Sequence, residues 1–419
     1  MFRIMPFHWP ASALPLYGLA LALPLSMALI SIFKLLTFLT GVTLLGLAFF
    51  YKRQYAQLRI APVYFTLALL SLMALSLLWS SAEPADALHA LSKYGKLLLI
   101  PLALVLLRTR KQALYALLVY IALQSFVVLS SWLLFFGFKL PYIPAGRNHF
   151  TVVFSSSLDQ SILTAGFVVL CWHLAKEFPG KYGRHLAWFL AVFGTLNIVF
   201  ALYGRTGQIC LLAAIGLTTF WVLPKKLRIA GVILPVFLIL VANALSPQFN
   251  KGMLGIKNEV QAYARSTGVK ETTSAGMRLE FWRKSLEIIS EKPLTGVGLG
   301  SWKQQYELAQ QKNPNRPNFD VSNPHQEFLL VGVQLGITGL LLFLGWLASM
   351  AWHARLFDSS ASRATQCFLA VFVVASLFNS ALYDGLVGDY FCTILGLLLV
   401  LGSHPPSKLT FTDPNTAPI

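Results

Sequence analysis

The chain has 419 residues, 56% of them hydrophobic and 12% charged, with a formal net charge of +17. A soluble domain carries about 25% charged residues. This composition therefore excludes a soluble globular enzyme, and no basic soluble domain is left over to bind nucleic acid.

Apolar stretches fall near 12–31, 33–50, 61–80, 88–107, 112–137, 159–175, 185–203, 207–223, 228–245, 326–352, 364–382 and 386–403. About 20 apolar residues cross the hydrocarbon of a bilayer as a helix. Backbone groups in lipid must be satisfied within the segment, so the spans are helices. The fold class is an all-α polytopic membrane protein of about twelve spans. The first two spans join near Ser31 and Lys34, so eleven is the alternative count. An early Arg3 followed by an apolar run looks like a signal peptide, but further spans follow at once and a retained first helix is expected.

Basic residues alternate from loop to loop. Lys52, Arg53 and Arg59, then Arg108, Arg110 and Lys111, then Lys176, Lys181 and Arg184, then Lys225, Lys226 and Arg228, then Arg355 and Arg363 fall in every second connection. The turns at 83–86 and 383–389 carry none. This is the positive-inside pattern, with both termini cytoplasmic. It divides the chain into spans one to nine over 1–245, an outer loop over 246–325, spans ten to twelve over 326–403, and a cytoplasmic tail over 404–419. The tail is short and Pro-rich, and disorder is expected there. Cys171, Cys210, Cys367 and Cys392 lie in or beside spans and show neither a disulfide framework nor metal-ligand spacing.

Ionisable residues at membrane depth are costly and mark functional sites. Lys93 and Lys96 lie inside the fourth span, and helical spacing puts them on one face with His89. Arg147, with His149 and Asp159, lies in the second-longest outer loop. Arg205 stands in YGRTG at the start of a helix, where free N–H groups and a guanidinium together suit an anion. Asp384 and Asp389 lie around an outer turn, and Asp389 is a candidate partner for an arginine or for a catalytic base. Each also has a plain structural reading, as a turn residue or a charge reaching the headgroups.

The outer loop is the only long polar segment. It holds eleven Lys/Arg against seven Asp/Glu, a balance suited to a phosphate or diphosphate. Residues 277–291 repeat apolar groups at Met277, Phe281, Leu286, Ile288 and Ile289, which predicts an amphipathic helix carrying Arg278 and Trp282. Pro293 stops it. Gly296, Gly298 and Gly300 follow, serving either a tight chain path or a phosphate cradle of backbone N–H groups. His325 comes after Asn323-Pro324 at the start of a helix. Its imidazole titrates near neutrality, as a general base does, and Glu327 is a candidate to orient it.

Three segments now carry a resemblance: the Arg of YGRTG, the block MRLEFWRKSLEIISEKPLTGVGLGSW, and NPHQEFLLVGVQLGITG. In this order the chain resembles the O-antigen ligase family, the lipid A–core:surface polymer ligases, within the O-antigen ligase/polymerase superfamily. The resemblance covers about 200 to 350. It implies a metal-independent, inverting glycosyltransferase of the bacterial inner membrane, without cofactor, working at the periplasmic face. The donor is undecaprenyl-diphosphate-linked O-antigen and the acceptor is lipid A–core. By this resemblance Arg205 and Arg278 hold the diphosphate and His325 deprotonates the acceptor hydroxyl. Arg147, Lys93, Lys96, Asn323, Asp389 and Trp282 are the candidate substrate-binding residues. Gln326 and Glu327 depart from the family's pattern, in which Asn or Ser comes first after the His. A polymerase of the same superfamily is the alternative. A lipid-linked glycan transporter is a third reading, disfavoured by the absence of internal repeats and of Gly- or Pro-broken helices at matching places in two halves.

Overall fold

The computed structural model describes residues 11–52, 55–143, 151–229, 274–312 and 322–404, with 233, 237, 241 and 319. Among them there are helices and turns but no strand. The helices are α1 Leu14–Ala22, α2 Met27–Phe50, α3 Ala61–Leu75, α4 Pro84–Tyr94, α5 Leu99–Leu106, α6 Arg110–Phe135 and α7 Ser157–His173. They continue as α8 Gly183–Leu196, α9 Arg205–Val222, α10 Ser274–Glu291, α11 Trp302–Lys312, α12 Glu327–His353, α13 Ser359–Phe378 and α14 Gly385–Ser403. Nine helical stretches among the described residues are long and apolar enough to cross a membrane. The helices α1 and α7 fall short of that length, and the expected span at 228–245 lies almost wholly outside the described residues.

Helix α14 is the centre of the bundle. It is buried on all sides, packed by α5, α6, α7 and α13. At one end of the bundle Arg110 gathers four connections. Its Nη1 donates to Asp358 Oδ1 at 2.8 Å and to the Leu401 carbonyl at 2.8 Å, and its Nη2 donates to Glu177 Oε1 at 2.6 Å. Ser12 donates to the Leu106 carbonyl at the same end. Three of the basic connections expected to share a side, at 108–111, 176–184 and 355–363, therefore meet at one end. The other end carries α10, α11 and the turn before α12.

The boundary between the first two helices differs from the expected one. It falls at the turn Leu23–Leu25, around Pro24, because proline cannot continue a helix and lacks the N–H the ladder needs. Lys34 lies inside α2, where its charge is paired with Asp389. The fourth span is also modified. A 3₁₀ turn, Gly95–Leu98, separates α4 from α5 and rotates the faces. His89 is exposed, Lys93 is half-buried and Lys96 is buried, so the three do not share one environment.

The second unexpected feature is a break in α12 at Gly336, where φ is 63° and ψ is −160°. The groups it frees are taken by the chain after α10. Val297 N–H donates to the Val333 carbonyl and Gly298 N–H to the Gln334 carbonyl, each at 2.9 Å, while Ile337 N–H donates to the Pro293 carbonyl at 2.7 Å. A helix break at membrane depth is tolerated when protein satisfies the freed groups in this way. The glycines therefore build a tight chain path, and the N–H groups of Gly296, Val297 and Gly298 are spent on carbonyls rather than turned to a phosphate. Gly298 (φ 90°) shows why the residue type is needed: a Cβ there would lie 2.2 Å from Ser80 Cα.

Candidate active site

The helix expected over 277–291 forms as α10, and its apolar face is buried as the spacing predicts. Phe281 and Ile288 join Val297, Trp302, Tyr306, Leu330 and Val333 in one cluster, with Met277 and Ile289 at its edge, while Leu286 points outward. Helix α11 was not expected. It is polar apart from the buried Trp302, Tyr306 and Ala309 and the exposed Leu308, and its pattern is too sparse for periodicity to reveal it. Packed together, α10 and α11 form a rigid layer on the first half of α12. Within that layer Arg283 is committed to Glu280, at 2.7 Å, and to Glu287, at 3.1 Å.

His325 stands where this layer meets the bundle. Its backbone is left-handed, with φ of 51°, which is uncommon for any side chain other than glycine. Asn323 holds the turn: its Oδ1 accepts the His325 N–H at 2.9 Å, an Asx-type turn. Gln326 then caps α12 by accepting the Leu329 N–H. The residue that departs from the family's pattern thus performs the capping that Asn or Ser would perform.

Three side chains surround the His325 ring. Phe281 lies with its ring centroid 6.2 Å away. Arg278, one turn earlier on α10, acts on it electrostatically, and Asn379 hydrogen-bonds to it from the turn after α13. Burial pushes the imidazole below its ordinary pKa, and the charge of Arg278 pushes it further, while the Asn379 bond and the charge of Asp384 partly offset them. The ring is accordingly neutral at neutral pH, the state in which a base can accept a proton. Trp282 is half-buried on α10, with its Nε1 buried and without a hydrogen-bond partner.

Glu327 does not orient His325. Its carboxylate is fully buried and accepts the Tyr94 hydroxyl at 3.1 Å, the Leu382 N–H at 2.9 Å and the Tyr383 N–H at 3.3 Å. It ties α4 and the α13–α14 turn to the start of α12. The same turn receives two lysines. Lys93 lies 3.9 Å from the Tyr383 ring centroid. Lys96 donates to the carbonyls of Asp384 and Gly385. Asp389 is buried on α14 and pairs with Lys34, its Oδ2 2.7 Å from Nζ, rather than with an arginine or with His325. Sequence reading passed over Lys34 because it stands alone in an apolar run. Asn379 was also passed over, since a lone Asn at a helix end reads as a cap.

Arg205 is the first residue of α9, as expected. Cys210 Sγ donates to the Val371 carbonyl, and Cys367 Sγ to the Ala214 carbonyl. These contacts run α9 antiparallel to α13, so the first turn of α9 lies toward the last turn of α13 and the Asn379 turn. Gly207 allows α9 to close on α7, since a Cβ there would lie 2.4 Å from Ser161 Cβ. Arg147 and His149 lie outside the described residues. The structure thus gathers Arg278, His325, Asn323, Trp282, Lys93 and Lys96 around one end of the bundle, with Arg205 at the same end and Asp389 held in a pair one helical turn below. Among the described residues no group of three or more His, Cys, Asp or Glu side chains is placed to hold a metal ion.

The described residues thus form an apolar helical bundle of membrane-spanning length with a histidine and arginines at one end. Residues 190–344, just over a third of the chain, match the family model described as O-Antigen ligase. The match runs from α8 into α12 and includes Arg205, Arg278, Trp282, Asn323 and His325. No curated protein matches the chain. The match supports a function of the O-antigen ligase/polymerase type in lipopolysaccharide synthesis.

Proposed function

We propose that this protein is a glycosyltransferase that moves O-antigen polysaccharide from undecaprenyl diphosphate to lipid A–core, at the periplasmic face of the inner membrane. The observation that carries the reading is the pairing of His325 with Arg278 inside the matched O-antigen ligase segment. Neutral His325 takes the proton of an acceptor hydroxyl. The acceptor oxygen attacks the anomeric carbon, the bond to the diphosphate oxygen breaks, and the configuration inverts. Negative charge grows on the departing diphosphate, and Arg205 and Arg278 stabilise it by fixed charge and hydrogen bonds, with a metal not required for that role. Lys93 sits at the same mouth as a further cation for the donor, and Asn323 and Trp282 shape it. Lys96 and Asp389 act from further out, and Arg147 is kept as a candidate contact for the donor.

The test is reconstitution. Purified protein is mixed with an undecaprenyl-diphosphate-linked glycan and lipid A–core in the presence of chelator. A lipid A–core–glycan product is expected. Longer lipid-linked glycan chains without that product would identify a polymerase instead, and neither product would return the transporter reading.

A further inference from the structure

The largest recess among those described lies at the other end of the bundle, away from His325. Helix α2 packs against α1 and α5, and α3 packs against α12. The two helices part, leaving a groove of about 550 Å³ with α5 as its floor. Val42, Leu45, Val63, Leu67, Leu102 and Val105 are among its walls. Val42 is 66% exposed and Leu67 43%, so the groove opens sideways, toward lipid. Its α2 wall runs from Phe38 to Phe49, about 16 Å at 1.5 Å per residue. That is roughly the depth of one leaflet of a hydrocarbon core about 30 Å thick.

The mouth of the groove is basic and amphipathic. Tyr55 and Arg59 close its end. A smaller recess of about 150 Å³ adjoins it, sharing Ala48 and Tyr55, and carries Tyr51 and Arg108. Both arginines are exposed. No acidic residue is among the residues lining either recess. Tyrosines and arginines at this level are the side chains that meet headgroups, and arginine binds phosphate oxygens in a fixed fork.

We propose that this groove binds one acyl chain of an anionic glycerophospholipid, with the headgroup phosphate between Arg59 and Arg108. Its apolar length fits a chain held within one leaflet. The arginines of its two adjoining recesses and the absence of carboxylates among their described lining residues favour a headgroup of net negative charge over a zwitterionic one, whose ammonium would be repelled. The site is independent of the glycosyl-transfer reading and distant from His325.

Full-length protein, delipidated in non-ionic detergent, is titrated by native mass spectrometry with phosphatidylglycerol and with phosphatidylethanolamine of the same acyl chains. Wild type is expected to retain one phosphatidylglycerol with at least tenfold higher affinity than phosphatidylethanolamine. Arg59→Gln/Arg108→Gln is expected to abolish that preference, and Leu67→Trp, which fills the groove, to weaken both lipids. Single Arg108→Gln, at an exposed position, reports on the headgroup site should the double variant misfold, and is expected to reduce the preference severalfold. Equal binding of the two lipids by wild type, or a preference unchanged by the arginine substitutions, would overturn the proposal. So would displacement of phosphatidylglycerol by a polyprenyl phosphate that depends on the same arginines.

Discussion

Glu327→Ala removes the acceptor that joins three separate segments. Its carboxylate takes the Tyr94 hydroxyl and the N–H groups of Leu382 and Tyr383, all with Glu327 fully buried. A buried donor left unsatisfied costs about 1–3 kcal/mol. The three donors relax together, so their costs do not add, and a net loss of roughly 3–5 kcal/mol is expected. At about 1.4 kcal/mol per factor of ten, the lower end is already a hundredfold shift toward the unfolded state. Glu327→Gln keeps the volume and one acceptor oxygen, and its loss is expected at about 1–2 kcal/mol. The assay is unfolding of the detergent-solubilised protein by graded sodium dodecyl sulfate, followed by circular dichroism. Wild-type unfolding by Glu327→Ala would refute the assignment of Glu327 as the tie between α4, α12 and the α13–α14 turn.

Three further predictions concern neighbouring groups. Asn379→Asp places a carboxylate close to His325, which stabilises the imidazolium and raises its pKa. The base is then neutral only at higher pH, so the acid limb of the transfer–pH profile is expected to move upward, an effect a purely structural role for Asn379 would not produce. Lys34→Met strands the buried Asp389 carboxylate and is expected to cost about 3–5 kcal/mol, Asp389→Leu leaves the partly exposed Lys34 and costs less, and the double variant costs less than their sum; the same unfolding assay reads all three. Gly298→Ala forces a side chain into a positive φ and into contact with Ser80, and an expected loss of at least about 2 kcal/mol is checked by thermal unfolding.

Nine helical spans were legible because their apolar length is dictated by the bilayer, and the meeting of three basic connections at one end was legible from the bias of Lys and Arg between loops. The amphipathic α10, the helix-initial position of Arg205 and the place of His325 just before α12 followed from periodicity and from Pro324. What escaped depended on tertiary pairing. Lys34 marked a join in the apolar pattern until Asp389, over three hundred residues later, is seen to neutralise it. Gly336 is one of several glycines in its helix, and only the carbonyl and N–H partners at 293–298 show that the helix breaks there. The same partners decide between the two roles of the Gly296–Gly300 cluster. Glu327 is two residues after His325 in sequence, yet His325 lies in a left-handed turn before the helix and Glu327 is the helix's first residue, so its carboxylate reaches the α13–α14 turn instead. Asn379 reaches His325 across two elements and carries no local signal.

The central claim is that His325 acts as the base. The decisive measurement compares initial rates of transfer from an undecaprenyl-diphosphate-linked glycan to lipid A–core by wild type and His325→Ala. Both proteins are first shown to be monodisperse and to unfold alike. Loss of a general base is expected to lower the rate by roughly 10²–10⁴-fold. A folded His325→Ala variant with near-wild-type turnover would contradict the account.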